Sequence, residues 1–172
     1  LESDLIVKSP GIPNKSNLIN EILFNEIDLI SEIEFAFRHT NGKIIAVTGS
    51  SGKTTVKDLV GNLLNNYGHT YFSPRSFNNY YGVPLSLCNL EQEHKYGVFE
   101  IGMSKKGEIN NLSKVVKPNI AIITNVAEAH IENFKNLNHI AKAKGEIINN
   151  ISSQGSLIID RDSKFFNYFK SK

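Results

Sequence analysis

The chain has 172 residues, 40% of them hydrophobic and 21% charged, which suits one domain with part of a second. Its 19 basic and 17 acidic residues leave a formal net charge of +2, too small to argue for a nucleic-acid or anionic-membrane partner. The single cysteine, Cys88, excludes an internal disulfide, and no apolar run reaches the length of a membrane span. We therefore expect a cytoplasmic protein that binds neither nucleic acid nor membrane, and a chain that is a segment of a longer one.

Short strands and helices alternate through the opening of the chain. We predict two strands and two helices there, at 4–8, 16–25, 27–30 and 32–39. The polar sequence His39-Thr40-Asn41-Gly42 separates this segment from the rest, so we place a domain boundary after residue 42.

After residue 42 the alternation becomes regular. The predicted strands cover 43–47, 70–73, 96–101, 119–125 and 156–160, and the predicted helices cover 54–67, 79–90, 107–116, 137–150 and 163–169. The strand at 119–125 is nearly continuous in apolar residues, which is typical of a strand buried on both faces of a parallel sheet. Strands that alternate with helices predict a doubly wound, parallel α/β sheet.

A glycine-rich loop lies between the first strand and the first helix of this sheet, with the sequence VTGSSGKTT at 47–55. Glycines allow successive N–H groups to point at one anion, and the helix N-terminus adds partial positive charge. Lys53 can then reach the β- and γ-phosphates of a nucleotide while the Thr54 hydroxyl ligates Mg²⁺. This predicts a sheet of the P-loop NTPase type, although the common G-x-x-x-x-G-K-[ST] spacing would require glycine in place of Val47. The alternative is a Gly/Ser turn that caps a helix beside an exposed lysine.

Further polar residues follow the ends of later strands. Glu100 closes one predicted strand and Asn125 closes the next, with His130 in the loop that follows. Because such sheets bind ligands beyond the carboxyl ends of their strands, Glu100 is placed to hold Mg²⁺ beside the glycine-rich loop. An edge charge or a helix cap is the alternative for Glu100, and position alone gives His130 no role. Lys142 and Lys144 have the spacing of solvent-facing helix charges.

Six motifs run in order from Ile45 to about Asp162: TGSSGKTTVK (48–57), FNNYYGVPL (77–85), FEIGM (99–103), GEI (107–109), ITNVAEAH (123–130) and AKAKGEI (141–147). Together they resemble the ATP-binding central domain of the Mur ligases of peptidoglycan synthesis. Within that family they are most similar to the branch that adds D-alanyl-D-alanine to UDP-MurNAc-tripeptide. The resemblance implies a monomeric, ATP- and Mg²⁺-dependent ligase of cell-wall biogenesis, with UDP-MurNAc-peptide and D-alanyl-D-alanine as partners.

The resemblance also implies a reaction and a role for each matching residue. ATP phosphorylates a substrate carboxylate to an acyl phosphate, and an amine attacks it to give an amide, ADP and phosphate. The implied nucleotide contacts are Gly49, Ser50, Ser51, Gly52, Lys53, Thr54, Thr55 and Asn125. The implied Mg²⁺ ligands are Thr54, Glu100, His130 and Lys144, and the implied catalytic residues are Lys53, His130 and Lys144. Asn78 and Asn79 match a segment that contacts the substrate, and Lys144 matches a lysine that becomes carbamylated, so that a cation becomes an anionic metal ligand.

The opening residues resemble a different branch of the family. Residues 4–13 and 30–34 are similar to the end of the N-terminal domain of the D-glutamate-adding ligases. This implies that 1–42 is the tail of a Rossmann-like, UDP-substrate-binding domain, and that 43–172 is an incomplete central domain. The C-terminal domain is then absent, and we expect the chain to be inactive by itself. A D-glutamate-adding ligase or a non-catalytic nucleotide-binding remnant is the alternative, whereas the short loop and the lack of an N-K-x-D motif disfavour a P-loop kinase or GTPase.

Overall fold

Two parallel sheets follow one another along the chain in this computed structural model, which describes residues 3–8, 12–31, 34–35, 38, 40–128 and 133–172. The small sheet pairs β1 (Leu5–Lys8) with β2 (Asp28–Ser31), and α1 (Asn17–Phe24) connects them. The Ser16 side chain accepts a hydrogen bond from the N–H of Ile19 and so caps the start of α1.

The large sheet has five parallel strands within the described ranges, in the order β4-β5-β3-β6-β7, which confirms the predicted parallel α/β sheet. Its strands are β3 (Lys43–Thr48), β4 (Thr70–Phe72), β5 (Tyr96–Glu100), β6 (Ile120–Ile123) and β7 (Ser156–Ile159). The helices that accompany it are α2 (Lys53–Leu64), α3 (Gly82–Leu87), α4 (Glu108–Val116), α5 (Leu137–Gly145) and α6 (Phe166–Lys170). The helix predicted at 137–150 ends earlier as an α-helix, because its last turn, Glu146–Asn150, is a 3₁₀-helix.

The residues of β3 alternate between the two faces of the large sheet, because successive side chains of a strand point to opposite sides. Ile44 and Ala46 belong to the larger core, with buried residues of α3, α4 and α5. Ile45 and Val47 belong to a smaller core on the other face, where α2 covers the sheet. Helices on both faces make the sheet doubly wound and explain why its central strands are continuous apolar runs.

The carboxyl ends of β3, β5 and β6 lie side by side, because β3 pairs with both other strands in parallel. The register sets Val47 opposite Glu100 and Thr48 opposite Ile123. The glycine-rich loop, Glu100 and the loop after β6 therefore meet at the edge where parallel sheets of this kind bind ligands.

The domain boundary predicted after residue 42 lies between the two sheets and stays a prediction. Most of the helix predicted at 32–39, and residues 9–11 of the opening segment, lie outside the described residues. Within the described part of the chain, no helix has both the length and the apolar character needed to cross a membrane.

Gly61 gives a test of the packing between α2 and β4. A Cβ atom at this position would lie 2.6 Å from both Cγ and Cδ1 of Phe72. We expect Gly61→Ala to lower the free energy of unfolding by about 1–2 kcal/mol, because overpacking outweighs the higher helix propensity of alanine. Denaturant unfolding measures this change. The control is Asn62→Ala at the neighbouring exposed position of the same helix, which should leave the stability almost unchanged. A Gly61→Ala variant more stable than wild type would contradict the close packing of Gly61 against Phe72.

Candidate active site

Two glycines shape the loop between β3 and α2, each for a different reason. Gly52 precedes the first residue of α2 with a φ of 73°, a left-handed conformation that glycine adopts without strain. At Gly49 the constraint is space, because a Cβ atom would lie 1.8 Å from Oγ1 of Thr124. The loop can therefore approach the end of β6 only with glycine at position 49.

Asn125 fastens this loop to the segment after β6. Its Oδ1 accepts hydrogen bonds from the N–H groups of Ser50 (3.1 Å) and Ser51 (3.0 Å), and its Nδ2 donates to Oγ of Ser51 (2.7 Å). Thr124 Oγ1 donates to the carbonyl of Ser51, and the Ser50 hydroxyl exchanges two hydrogen bonds with the backbone of Ala127. The N–H groups of Ser50 and Ser51, which we expected to face a phosphate, thus point at Asn125. Nucleotide contacts by Ser50, Ser51 and Asn125 stay a prediction.

Lys53 and Thr54, at the start of α2, have different neighbours. Lys53 lines a cavity beside the loop, and the Thr54 hydroxyl donates to Oε2 of Glu100 at 2.7 Å. Thr55 is exposed. The first N–H groups of a twelve-residue helix have no carbonyl partner within the helix, so this end of α2 is suited to an anion.

Glu100 is a buried carboxylate, with 1% of its surface exposed. It accepts from the Thr54 hydroxyl and, at 2.6 Å, from Nδ2 of Asn78, and no ion pair joins it to a described residue. Its contacts are to side chains and not to the N–H groups of a helix end, so it is not a helix cap. A buried carboxylate without a cation is unfavourable, and carboxylate and hydroxyl oxygens are ligands that Mg²⁺ prefers. Thr54 and Glu100 therefore fit a Mg²⁺ site, although that role stays a prediction.

A cavity of about 470 Å³ opens beside the loop and brings six of the predicted site residues together. They are Gly49, Ser50, Lys53, Asn78, Asn79 and Lys144. Glu100 is not among the lining residues and contacts one of them, Asn78. In the described ranges no three His, Cys, Asp or Glu side chains cluster as a ready-made metal site, and His130 lies outside the described residues.

Lys144 is buried, although helix spacing predicted that it faces solvent. It is 3% exposed and lines the cavity, so the interpretation as a solvent-facing charge is wrong, whereas Lys142 is exposed as expected. Burial, together with repulsion from the nearby Lys53 ammonium, lowers the pKa of Lys144 from 10.5 to about 7. A substantial fraction of the side chain is therefore the neutral amine at neutral pH.

The two asparagines predicted to contact substrate have structural partners as well. The side-chain amide of Asn78 donates to the carboxylate of Glu100, and the backbone carbonyl of Asn78 accepts the N–H of Gly102 at 2.7 Å. The Asn79 side chain accepts from the N–H groups of Tyr81 and Gly82 and so holds the start of α3. This explains why α3 begins at Gly82 and not at Asn79, where the sequence pattern placed the start of the helix.

Sequence reasoning missed two residues that line the cavity and one buried lysine of α2. Tyr80 and Tyr81 line the cavity with exposed fractions of 69% and 83%, and the only signal for them was their place directly after the two asparagines. Lys57 lies about one turn after Thr54 and is fully buried, and the spacing of residues along the helix gave no sign of this burial.

The sequence profile of the Mur ligase middle domain matches residues 47–172. The chain belongs to the Mur ligase family. Among similar Mur ligases is the UDP-N-acetylmuramoyl-tripeptide–D-alanyl-D-alanine ligase of Buchnera aphidicola, 43% identical over 77% of this chain and 29% of the relative. The ligase of the same name from Rickettsia prowazekii is 35% identical over 95% of this chain and 36% of its own length. The chain thus spans about a third of the curated Mur ligases it matches.

Solved structures of Mur ligases have the same fold. MurF from Acinetobacter baumannii superposes with a TM-score of 0.78 and 37% identity over 81% of this chain and 31% of its own. The MurF ligase of Thermotoga maritima in complex with ADP covers 98% of this chain and 45% of its own with a TM-score of 0.74; at 24% identity it supports the fold alone.

The lowered pKa of Lys144 predicts a pH-dependent stability. Between pH 7 and 10.5 the unfolded chain binds a proton that the folded chain has released, so stability rises with pH in that window, and the full penalty remains below pH 7. From pH 7 to 9, wild type should gain about 2 kcal/mol relative to Lys144→Met, which lacks the titrating group. Denaturant unfolding of both proteins in CO₂-free buffer measures the difference. Parallel pH curves for wild type and variant would show that Lys144 titrates normally.

Proposed function

We propose that this chain is the ATP-binding middle part of a ligase that joins D-alanyl-D-alanine to UDP-N-acetylmuramoyl-tripeptide. One observation carries the proposal: a single cavity joins the glycine-rich loop, with Lys53, to the buried Lys144, and it lies beside the Thr54–Glu100 pair. A cation for phosphates, oxygen ligands for a metal and a neutral amine are thereby brought to one edge of the sheet.

The choice of amino substrate rests on relatives. Ligases named for D-alanyl-D-alanine addition match this chain at 43% and 35% identity. The match to the Rickettsia ligase covers 95% of this chain, so it includes most of the opening segment whose pattern suggested D-glutamate addition. The opening segment therefore does not separate this chain from the D-alanyl-D-alanine-adding ligases, and the D-glutamate-adding ligase is the runner-up.

In the proposed reaction, a substrate carboxylate oxygen attacks the γ-phosphorus of ATP, the bond to the β-phosphate oxygen breaks, and ADP leaves. The amino group of D-alanyl-D-alanine then attacks the acyl carbon of the acyl phosphate and loses a proton, and phosphate leaves as the amide forms. Lys53 would hold the β- and γ-phosphates, and Asn78 and Asn79 would face the acyl phosphate from the cavity wall. Thr54 and Glu100 would hold Mg²⁺, which offsets the negative charge between phosphate and carboxylate.

Lys144 would hold a second Mg²⁺ with His130 after carbamylation. In that modification the neutral amine attacks CO₂, an N–C bond forms, and a proton leaves to solvent. Its pKa of about 7 supports the proposal, because the neutral amine is the form that reacts. We further propose a monomeric enzyme of the cytoplasm.

Nucleotide binding should depend on Lys53. Lys53→Ala removes the ammonium that faces the cavity, and we expect it to weaken Mg-ATP binding by about 1.5–3 kcal/mol, the value of a charged hydrogen bond. Isothermal titration calorimetry measures the affinity. Lys142→Ala, at an exposed position of α5 that does not line the cavity, is the control and should bind as wild type does. Equal affinities in all three proteins would remove the phosphate-loop assignment.

The amino substrate can be tested in a full-length ligase that carries this middle domain. We expect phosphate release with UDP-MurNAc-tripeptide and D-alanyl-D-alanine, and none with UDP-MurNAc-L-alanine and D-glutamate. Turnover only in the second assay would identify the D-glutamate-adding ligase, and Mg-ATP binding without turnover in either assay would identify a nucleotide-binding remnant.

A further inference from the structure

Lys57 is a lysine with no exposed surface in the middle of α2. Its ammonium donates to the carbonyls of Ser73 (2.5 Å) and Arg75 (2.8 Å), and it lies 2.8 Å from Oδ1 of Asp58. An ammonium has three N–H donors, so these partners use all of them. The two carbonyls belong to residues 73–78, which follow β4 and are called the β4 loop below.

The β4 loop supplies the neighbours of both predicted Mg²⁺ ligands. Ser73 Oγ accepts the N–H of Glu100 at 3.3 Å, and the Asn78 amide donates to the carboxylate of the same residue. Ser76 Oγ lies 3.4 Å from Oγ1 of Thr54. Because the single Thr54 proton is donated to Glu100, Ser76 is the donor in this contact.

Lys57 therefore joins two parts of the site that the sequence separates. It lies three residues after Thr54 on the same helix, and its hydrogen bonds reach the loop that surrounds Glu100. The Asp58 carboxylate is about half exposed, so that ion pair contributes little, and the two carbonyls are the main partners. A buried ammonium is unfavourable unless it is fully bonded, which explains why the loop carbonyls turn inward.

We propose that Lys57 is a positioning residue for the metal site, holding the β4 loop so that Asn78 and Ser76 keep Glu100 and Thr54 in place. The inference rests on the proposed function, because it requires that Thr54 and Glu100 bind the Mg²⁺ of Mg-ATP. Lys57 does not line the cavity formed by the described residues, so it acts through the loop and not on the nucleotide.

The test compares ATP affinity with and without Mg²⁺ in this chain, by calorimetry. Lys57→Met keeps an unbranched side chain of similar length but removes the charge and all three donors, and Lys57→Gln keeps a shorter neutral donor. We expect the Mg²⁺-dependent gain in affinity to fall about 10-fold in Lys57→Met, as for Glu100→Gln, and less in Lys57→Gln. Affinity without Mg²⁺ should stay within about twofold of wild type, since Lys53 is untouched. The exposed Lys142→Met is the control.

A second measurement follows the loop itself. The amides of Asn78 and Gly102 donate to carbonyls of Ser76 and Asn78, and the amide of Ile101 donates to Val47 in the sheet. In Lys57→Met the first two should exchange hydrogen faster by about 10-fold or more, while Ile101 keeps its wild-type rate.

The outcomes separate this inference from the proposed function. If wild type shows no Mg²⁺-dependent gain, the proposed function fails and the inference fails with it. If wild type shows the gain and both Lys57 variants keep it, only the inference is overturned. An equal loss of affinity with and without Mg²⁺, or loss of the folded state in both variants, would make Lys57 a purely structural lysine.

Discussion

A carboxylate buried at the end of a central strand is the constraint on which this site depends. Glu100 is buried and has no cationic partner among the described residues. Its carboxylate is stabilised by hydrogen bonds from Thr54 at the start of α2 and from Asn78 in the β4 loop. A buried charge tolerates little displacement of its hydrogen-bond donors. The helix, the loop and β5 are therefore held in one arrangement around the carboxylate that we propose as a Mg²⁺ ligand.

The same edge of the sheet also holds positive charge. Lys53 and Lys144 face one cavity, and their mutual repulsion adds to burial in lowering the pKa of Lys144. An anionic ligand such as a nucleotide phosphate would relieve the repulsion, and modification of Lys144 would reverse its charge. The positive charge that faces the cavity thus favours an anion such as a nucleotide phosphate, whereas the oxygen atoms proposed to hold a metal ion are those of the neighbouring Thr54–Glu100 pair.

The glycine-rich loop is held in place by residues that lie outside it. Asn125 occupies two of its N–H groups, and Thr124 lies so close to Gly49 that no side chain fits between them. These contacts fix the loop to the segment that leads toward His130. Preorganisation of this kind would lower the entropy lost on binding of the proposed phosphate, because the loop need not be ordered at that moment.

The sequence by itself determined the parallel sheet, the place of the glycine-rich loop between a strand and a helix, and the family resemblance, because strand and helix periodicity and the turn residues are local properties. Lys53 was predicted from the glycine-rich loop, and Glu100 was predicted because parallel strands bring their carboxyl ends to one edge. Only the tertiary structure decided that Lys144 is buried in the cavity, that Asn125 bonds to the loop and that Lys57 holds the β4 loop. Each of these depends on neighbours far away in the chain, such as the pairing of β3 with β6 that brings Asn125 to Ser50. Helical spacing reports which residues share a face, and it carries no information about what that face packs against.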